Sequence, residues 1–446
     1  MTRERSLIAV LTAVQFTNVL DFVLMMPLGP QLMRSFDIGP RGFALLLSSY
    51  TFAAAISGLA SAFLMDRFDR KRALVAVYGG FTLATLACAL APGYLALAGA
   101  RVLAGLFGGV LSALVFAVIA DAIPYERRGG ATGTVMSAFS LASVLGVPAG
   151  MALANAFDWH FPFLALAAVG ALVWGAALAL LPPLPVPSSG GAAAGPARGP
   201  VATLRHVFAV PRHRRAFAFI SVLMVAGFSV LPFLSPYMVQ NVGLTERELP
   251  YIYLAGGLFT VVTSPLVGRL ADRHGKLRVF TATALLSVVP ILLVTNLPRL
   301  PLALALAATT LFMVLISGRL VPAVAMITAS AEPAARGSFL SVNSAVQQFA
   351  AGAASFGAGL IVTESANGEL RHYGAVGVIA AAATVASILV ARRLQPLERS
   401  DADAVVPPFA PAAGATPGAT LAAEALTHCS GRAGGLQRRR VFESGE

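Results

Sequence analysis

Twelve segments of about 20 mostly apolar residues run along the chain, separated by short polar connections. A segment of this length crosses the roughly 30 Å hydrocarbon core of a bilayer as an α-helix. The chain is 57% hydrophobic and 12% charged, whereas a soluble domain carries about 25% charged residues. The sequence therefore predicts an all-α membrane protein with twelve transmembrane helices. The predicted spans are residues 7–27, 43–65, 73–91, 94–119, 131–156, 161–181, 216–237, 250–271, 279–297, 302–328, 338–362 and 373–393.

A stretch rich in Pro and Gly divides the spans into two sets of six. Residues 182–200 read PPLPVPSSGGAAAGPARGP, and Pro and Gly at this density cannot continue a helix. We therefore expect two six-helix halves joined by a linker, with a Pro/Ala/Gly-rich disordered tail at the end. The predicted units are an N-terminal bundle at 1–181, a central linker at 182–213, a C-terminal bundle at 214–394 and a tail at 395–446.

The positive charges are distributed unevenly between alternate connections. Twenty-five of the 32 Lys and Arg residues fall on the side that holds the N-terminus, the linker and the tail. Five fall in the connections on the other side, and Arg101 and Arg319 lie inside spans. Because short cytoplasmic loops carry the excess of Lys and Arg, both termini are predicted to be cytoplasmic.

Short charged motifs recur in the two halves. Asp66-Arg67 follows the second span and Asp272-Arg273 follows the eighth. Arg128-Gly129 opens the fifth span and Arg336-Gly337 opens the eleventh, so that each pair lies about 207 residues apart. Duplicated halves of this kind predict a central cavity between them, with a substrate site near the bilayer midplane.

At these residues the chain resembles the major facilitator superfamily over nearly its whole length. The family's loop signature, roughly G-x-L-a-D-r-x-G-r-k, is matched by GRLADRHGK at residues 268–276, whereas Ala62 and Asp69 replace the two glycines in the first-half copy. The resemblance implies a transporter with alternating access, in which this loop holds the cytoplasmic side closed. The alternative is a charge cluster that only sets the topology. The gating residues implied are Asp66, Arg67, Gly268, Asp272, Arg273 and Gly275.

Two further signatures lie in the fourth and fifth spans. Arg101 is followed by glycines at Gly105, Gly108 and Gly109, and the run Gly146-Val-Pro148-Ala-Gly150 is similar to a motif associated with antiporters. Residues 146–159 resemble the sugar- and drug-efflux branch, which includes arabinose-efflux-type permeases. Gly146 and Gly150 are expected to allow close helix packing and Pro148 to bend the helix. Tight packing without a gating role is the alternative.

Charged residues inside spans are functional candidates, because each costs at least about 2.5–3.5 kcal/mol at the bilayer centre. Asp21 lies about 9 Å and Arg101 about 10 Å from the outer end of their spans, by the helical rise of 1.5 Å per residue. Their similar depth predicts a pair, in which Asp21 carries a coupling proton and Arg101 modulates it. A static buried ion pair that fixes helix packing is the alternative.

Polar residues on three spans are candidates for the cavity. Gln15 and Asn18 share a helix face with Asp21, and Asn343 and Gln347 are one turn apart. Hydrogen bonding between helices is the alternative for these amides. Arg319 is expected either to bind an anionic group of a substrate or to extend its charge to the cytoplasmic interface.

Several classes of function are excluded by the sequence. A phosphate-binding GxxxxGK[ST] loop is missing, and neither a metal-ligand cluster nor a nucleophile–base arrangement can be argued, so we predict no enzyme, cofactor or metal site. The net charge of +12 lies in short loops rather than on one basic face, which argues against nucleic-acid binding.

The function predicted is proton-coupled export of a small organic molecule, such as a drug or sugar, across the inner membrane. The protein is expected to work as a monomer, with its substrate, protons and the lipid bilayer as partners. A proton-coupled importer is the first alternative. A membrane sensor or scaffold that transports nothing is the second.

Overall fold

The computed structural model describes residues 2–64, 69–181, 200–332 and 336–394. The described part of the chain is almost entirely helical, apart from one antiparallel pair of two-residue strands, β1 (Thr363–Glu364) and β2 (Leu370–Arg371). The helices are α1 (Thr2–Leu24), α2 (Gly29–Phe36), α3 (Pro40–Leu64), α4 (Arg70–Ala89), α5 (Tyr94–Ala122), α6 (Tyr125–Leu141), α7 (Val147–Ala156), α8 (His160–Leu180), α9 (Pro200–Ala209), α10 (Pro211–Phe228), α11 (Leu231–Gln240), α12 (Leu249–His274), α13 (Lys276–Val294), α14 (Leu302–Ala329), α15 (Arg336–Ile361) and α16 (Tyr373–Ala391).

Each predicted span coincides with one helix or with two consecutive helices. Among the described residues, 11 helical segments are long and apolar enough to cross a membrane. The remaining predicted span is α15, whose length is sufficient at 26 residues. Its polar residues, including Asn343, Gln347 and Gln348, lower its mean hydropathy. A helix that lines a polar cavity is expected to have this composition.

The predicted linker and the start of the second bundle lie partly within the described residues. Helix α9 lies inside the predicted linker, and α10 begins at Pro211, three residues before the predicted start of the second bundle. Residues 182–199 of the linker and the tail at 395–446 lie outside the described residues.

Two spans are interrupted near a proline. In the fifth, a π-helical turn at Ala142–Gly146 separates α6 from α7, and the N–H of Val147 donates to the carbonyl of Ala142. Pro148 follows directly, so the wide turn accommodates a residue that has no N–H to donate. In the seventh span, α10 ends at Phe228 and α11 begins at Leu231, immediately before Pro232. Each interruption is followed within two residues by a proline.

Small residues bring α7 and its π-helical turn against α1. A Cβ atom on Gly146 would lie 2.7 Å from a methyl carbon of Leu20, and one on Gly150 would overlap Leu24. The absence of side chains at these two positions therefore permits close packing of this span against α1.

The glycines that follow Arg101 allow the backbones of α5 and α3 to pack closely against each other. A Cβ atom on Gly105 would overlap the carbonyl of Tyr50, and one on Gly109 would overlap the carbonyl of Ala54. The two helix backbones are thus in direct contact, and α3 cannot move away from α5 without losing this packing.

The two copies of the repeated loop end their turns differently. Gly275, between α12 and α13, has φ 91°, a left-handed conformation that favours glycine. Asp69 takes the equivalent place before α4 with φ −56°, and its Oδ1 accepts the N–H of Arg72 at 2.8 Å. The replacement of glycine by Asp69 therefore gives α4 a side-chain N-cap in place of a left-handed turn.

The apolar core is divided differently at the two ends of the bundle. We call the end at which α1 begins and α16 ends the basic face, and the other end the opposite face. Near the opposite face, one cluster joins both halves and includes Leu24 and Phe43 with Phe233 and Leu249. Toward the basic face, the residues form two separate clusters, one within each half. Among the described residues, the halves thus share one buried cluster near the opposite face, whereas toward the basic face they touch through Leu59 of α3, a partly buried residue that packs against the cluster of the C-terminal half.

We predict that Gly109→Ala destabilises the folded protein by about 1–3 kcal/mol, because the new methyl group overlaps the backbone of α3. Gly99→Ala is the matched control, since this glycine lies on the same helix with open space around it. The control gains helix propensity of up to about 1 kcal/mol. Thermal unfolding in detergent measures both variants, and equal midpoints would contradict the packing argument.

Candidate functional site

Asp21 and Arg101 form an ion pair inside the N-terminal half. The Nη1 atom of Arg101 donates to Oδ2 of Asp21 at 2.7 Å, and both side chains are 0% exposed. The second carboxylate oxygen, Oδ1, accepts from Thr85 Oγ1 at 3.3 Å. The pairing that the depth of the two residues predicts is thus present.

Arg101 uses only part of its hydrogen-bonding capacity. Its Nε and Nη2 atoms are buried and have no partner within the described residues. An unsatisfied buried donor costs about 1–3 kcal/mol, and more when it is charged. The contact with Asp21 is therefore made through one nitrogen, unlike the bidentate arrangement in which arginine usually binds a carboxylate.

Tyr50 of α3 separates this ion pair from a cavity in the middle of the bundle. The guanidinium carbon of Arg101 lies 4.4 Å from the centre of the Tyr50 ring, a cation–π contact. On its other side the Tyr50 hydroxyl donates to Oδ1 of Asn18 at 3.3 Å. Tyr50 is thus in contact with both the charged pair and the wall of the cavity.

The central cavity has a volume of about 130 Å³ and lies between the two halves. Its walls combine apolar side chains with hydroxyl and amide groups, and no charged side chain is among the described residues that line it. The N-terminal half contributes Asn18, Val19, Phe22, Tyr50, Ala54, Gly108, Gly109, Ser112 and Phe139, and the C-terminal half contributes Ser344 and Gln348.

Asn18 is held in place by several hydrogen bonds. Its Nδ2 atom donates to Ser112 Oγ at 2.9 Å and to the carbonyl of Gly108 at 3.4 Å. Its Oδ1 atom accepts from Tyr50. The residue therefore lines the cavity as predicted, while its side chain also joins α1 to α3 and α5.

The remaining predicted amides occupy different environments. On α15, Ser344 and Gln348 line the cavity, each one position after the predicted Asn343 and Gln347. Asn343 Oδ1 and Gln15 Oε1 are buried acceptors that lack a hydrogen-bond partner among the described residues. A buried acceptor without a donor is destabilising, so these two oxygens are open positions for a donor group.

Arg319 is enclosed within the C-terminal half. It is 1% exposed, and its Nη1 atom donates to Thr384 Oγ1 at 2.7 Å and to Ser287 Oγ at 3.5 Å. The side chain does not extend to an aqueous interface, and within the described part of the chain no carboxylate pairs with it. It is also absent from the described lining of the central cavity.

The predicted gating residues are only partly described. Asp66 and Arg67 lie outside the described residues. Asp272 and Arg273 are exposed at the basic face, where α12 ends. Gly268 lies within α12, and Gly275 forms the turn that follows this helix.

A second ion pair joins the halves at the opposite face. Arg34 of α2 donates to both carboxylate oxygens of Glu246 at 2.7 and 3.0 Å. Asn155 of α7 donates to the carbonyl of Glu246 at 3.0 Å and accepts from Gln31 at 3.1 Å. Because Glu246 belongs to the C-terminal half and the other three residues to the N-terminal half, we call this group the opposite-face tie.

Reasoning from the sequence did not identify several of these residues. Tyr50 and Ser112 are polar residues in apolar spans, a signal that is present but common. From the sequence, Arg34 is one of the five positive charges in the connections on the opposite side. Its pairing with Glu246, 212 positions away in the chain, depends on how the halves pack and has no local signal.

Comparisons with known proteins place these features in one family. The model of the Major Facilitator Superfamily matches residues 11–231 and 217–432. The inner membrane transport protein YdhP of Escherichia coli (strain K12) is 26% identical over 57% of this chain and 64% of its own length. A probable sugar efflux transporter of Mannheimia succiniciproducens is 24% identical over 53% of this chain and 57% of its own.

The matched regions thus span less than two thirds of the length of either relative. The crystal structure of a D-xylose–proton symporter superposes with a TM-score of 0.71 at 17% identity, covering 88% of this chain and 98% of the symporter. That likeness concerns the fold. Since the family model matches both halves and most of the chain, the protein belongs to the Major Facilitator Superfamily.

Proposed function

We propose that the protein is a secondary active transporter that exports a small organic molecule in exchange for protons. The observation that carries this proposal is the buried Asp21–Arg101 pair, placed behind Tyr50 at the edge of the central cavity. A carboxylate at this depth is expensive to maintain, and membrane proteins retain such groups for ion or proton handling.

The geometry of the pair supports a role for Asp21 in proton exchange. Protonation of Asp21 would remove its charge and weaken its attraction for Arg101. Because Arg101 contacts the carboxylate through one nitrogen, a small movement of α1 relative to α5 is sufficient to separate them. Tyr50 would transmit that change, since it touches both Arg101 and Asn18.

The divided core supports alternating access between the two faces. Near the opposite face the described halves share one buried apolar cluster and the opposite-face tie, whereas toward the basic face their buried residues form two clusters, with Leu59 of α3 as a partly buried contact between them. We propose that this is the state open to the basic face, and that the tie breaks when the halves rock to open the opposite face. Asp272 and Arg273 would then close the basic face.

The cavity supports an uncharged or lipophilic substrate with hydrogen-bonding groups. Its described lining is apolar apart from hydroxyl and amide side chains. A probable sugar efflux transporter among the relatives favours export, whereas the structural likeness to a D-xylose–proton symporter is compatible with import. A sensor or scaffold would have no need of an ion pair in the membrane, which argues against a protein that transports nothing.

The distribution of charge supports an inner-membrane protein with both termini in the cytoplasm. Among the described residues, the basic face carries most of the Lys and Arg residues, which supports a cytoplasmic location for this face by the positive-inside rule. The two bundles already form a complete cavity between them, so a monomer is sufficient for the cycle.

We predict that Asp21→Asn abolishes substrate-dependent proton flux while the protein still folds, since asparagine keeps the size of the side chain and cannot release a proton. The measurement is internal pH in proteoliposomes under an imposed pH gradient, with cationic dyes, antibiotics and pentoses as trial substrates. The direction of flux separates antiport from symport.

Asp158→Asn is the matched control, because it removes a carboxylate that is 52% exposed at the opposite face. This variant should transport like the wild type. Undiminished proton flux in Asp21→Asn would show that the coupling group lies elsewhere, and flux lost equally in both variants would point to a general effect of lost negative charge.

We predict that Arg34→Glu widens the opposite face by placing two like charges together in the tie. Spin labels at Leu95 and Leu304, which are exposed near the opposite-face ends of α5 and α14, report the distance between the halves. The charge-swapped variant R34E/E246R should restore the narrow distance distribution. A distribution that is unchanged in Arg34→Glu would mean that the apolar core alone closes this face.

We predict that a reporter fused after residue 446 remains in the cytoplasm, so that a fluorescent protein is active there and an alkaline phosphatase is not. A second fusion after Asp37, in the first connection at the opposite face, should give the reverse pattern. Active phosphatase at the C-terminus would overturn the proposed orientation.

A further inference from the structure

A second and larger concavity lies away from the central cavity, between α4 and α8. It has a volume of about 740 Å³ and is lined almost entirely by apolar atoms of these two helices. Ala76, Leu83, Leu164 and Ala171 line it and are exposed, so the groove opens to the surroundings of the bundle. In a membrane these surroundings are the acyl chains of the lipid.

The groove is formed by specific residues. Small side chains face it from both helices, including Ala76, Gly79 and Gly80 on α4 and Ala168 on α8. Trp174 closes one wall, because its Nε1 atom donates to the carbonyl of Val75 at 2.9 Å. A Cβ atom on Gly79 would lie 2.9 Å from that same nitrogen, so a larger residue there would displace the tryptophan.

The dimensions of the groove fit an extended apolar ligand. Its lining on α4 runs from Arg72 to Leu86, which corresponds to about 21 Å at 1.5 Å per residue. This length is more than half of the roughly 30 Å hydrocarbon core. An empty groove would forfeit the dispersion contacts of its walls, and a lipid acyl chain lying along it would restore them.

One charged residue lies at the basic-face end of the groove. Arg72 lines it, and the side chain is exposed. Its neighbours are already engaged, since Arg70 pairs with Asp121 at 2.9 Å and Lys71 donates to the carbonyl of Leu181 at 2.6 Å. Asp69 accepts the backbone N–H of Arg72, and within the described residues the guanidinium of Arg72 has no hydrogen-bond or ion-pair partner.

We propose that this groove is a binding site for an anionic phospholipid, with one acyl chain between α4 and α8 and the phosphate on Arg72. A guanidinium presents paired N–H donors that match the oxygens of a phosphate. Basic residues at the ends of membrane-spanning helices select anionic headgroups. The site shares no residue with the lining of the central cavity.

The test uses Trp174 as a reporter within the full-length protein. The chain has two tryptophans, and Trp159→Phe leaves Trp174 as the single fluorophore. The protein is reconstituted into vesicles of phosphatidylglycerol and phosphatidylcholine at one fixed ratio, with bromine on the acyl chains of either one lipid or the other. Membrane charge is thus the same in both samples, and only the position of the quencher changes.

We expect stronger quenching when phosphatidylglycerol carries the bromine, corresponding to about fivefold enrichment of that lipid at the groove from an interaction of about 1 kcal/mol. Arg72→Gln should remove this preference. Arg278→Gln is the matched control, because Arg278 occupies the third position of α13 as Arg72 does of α4. The preference should persist in this control.

A second variant tests the acyl-chain part of the site. Ala76→Phe fills the groove and should lower quenching by both brominated lipids, whereas Ala282→Phe, at the equivalent exposed position of α13, should not. Equal quenching by the two lipids in the parent protein, or a preference that survives Arg72→Gln, would overturn the proposal. Absence of quenching by either lipid would show that acyl chains do not enter the groove.

Discussion

Hydrocarbon offers no hydrogen-bond partners to a polypeptide backbone, and most of this structure is arranged to satisfy that constraint. The long helices satisfy their own N–H and C=O groups, which is why the apolar segments become helices. Where a helix is interrupted, the exposed backbone groups are covered by other parts of the protein. The π-helical turn before Pro148 faces α1 and α12 within the bundle, where Gly257 of α12 packs against the carbonyl of Ser143.

The same constraint explains why polar side chains in the spans face one another. Thr17 contacts Tyr78, Asn18 contacts Ser112, and Arg101 contacts Asp21, all within the N-terminal half. Each contact joins two helices through groups that would be costly to leave unpaired in lipid. A few buried polar atoms have no hydrogen-bond partner among the described residues, including Nε and Nη2 of Arg101 and the side-chain oxygens of Gln15 and Asn343.

The fold could be predicted from the sequence because its signals are local. An apolar run of 20 residues predicts a span wherever it occurs, and Pro148 predicts a disturbed helix without reference to the rest of the chain. The Asp21–Arg101 pair can also be predicted from the sequence, because the depth of a residue along a helix follows from its residue number. The side of a helix that faces the cavity is harder to predict from the sequence. On α15 the predicted residue is Asn343, whereas Ser344, one position and about 100° around the axis away, lines the cavity.

The two halves repeat one another in topology but differ in how they treat a buried charge. Arg101 has a carboxylate 2.7 Å away, whereas Arg319 is buried to the same degree and is bound by the hydroxyls of Thr384 and Ser287. Hydroxyls cannot neutralise a cation, so within the described residues the charge of Arg319 is offset by neutral hydrogen bonds alone. Among the described residues, the buried cation of the N-terminal half is paired with a group that can take up and release a proton, and that of the C-terminal half is not. If the protein exchanges protons as proposed, the exchange is therefore asymmetric between the halves, and proton movement would act first on the packing of α1 against α5.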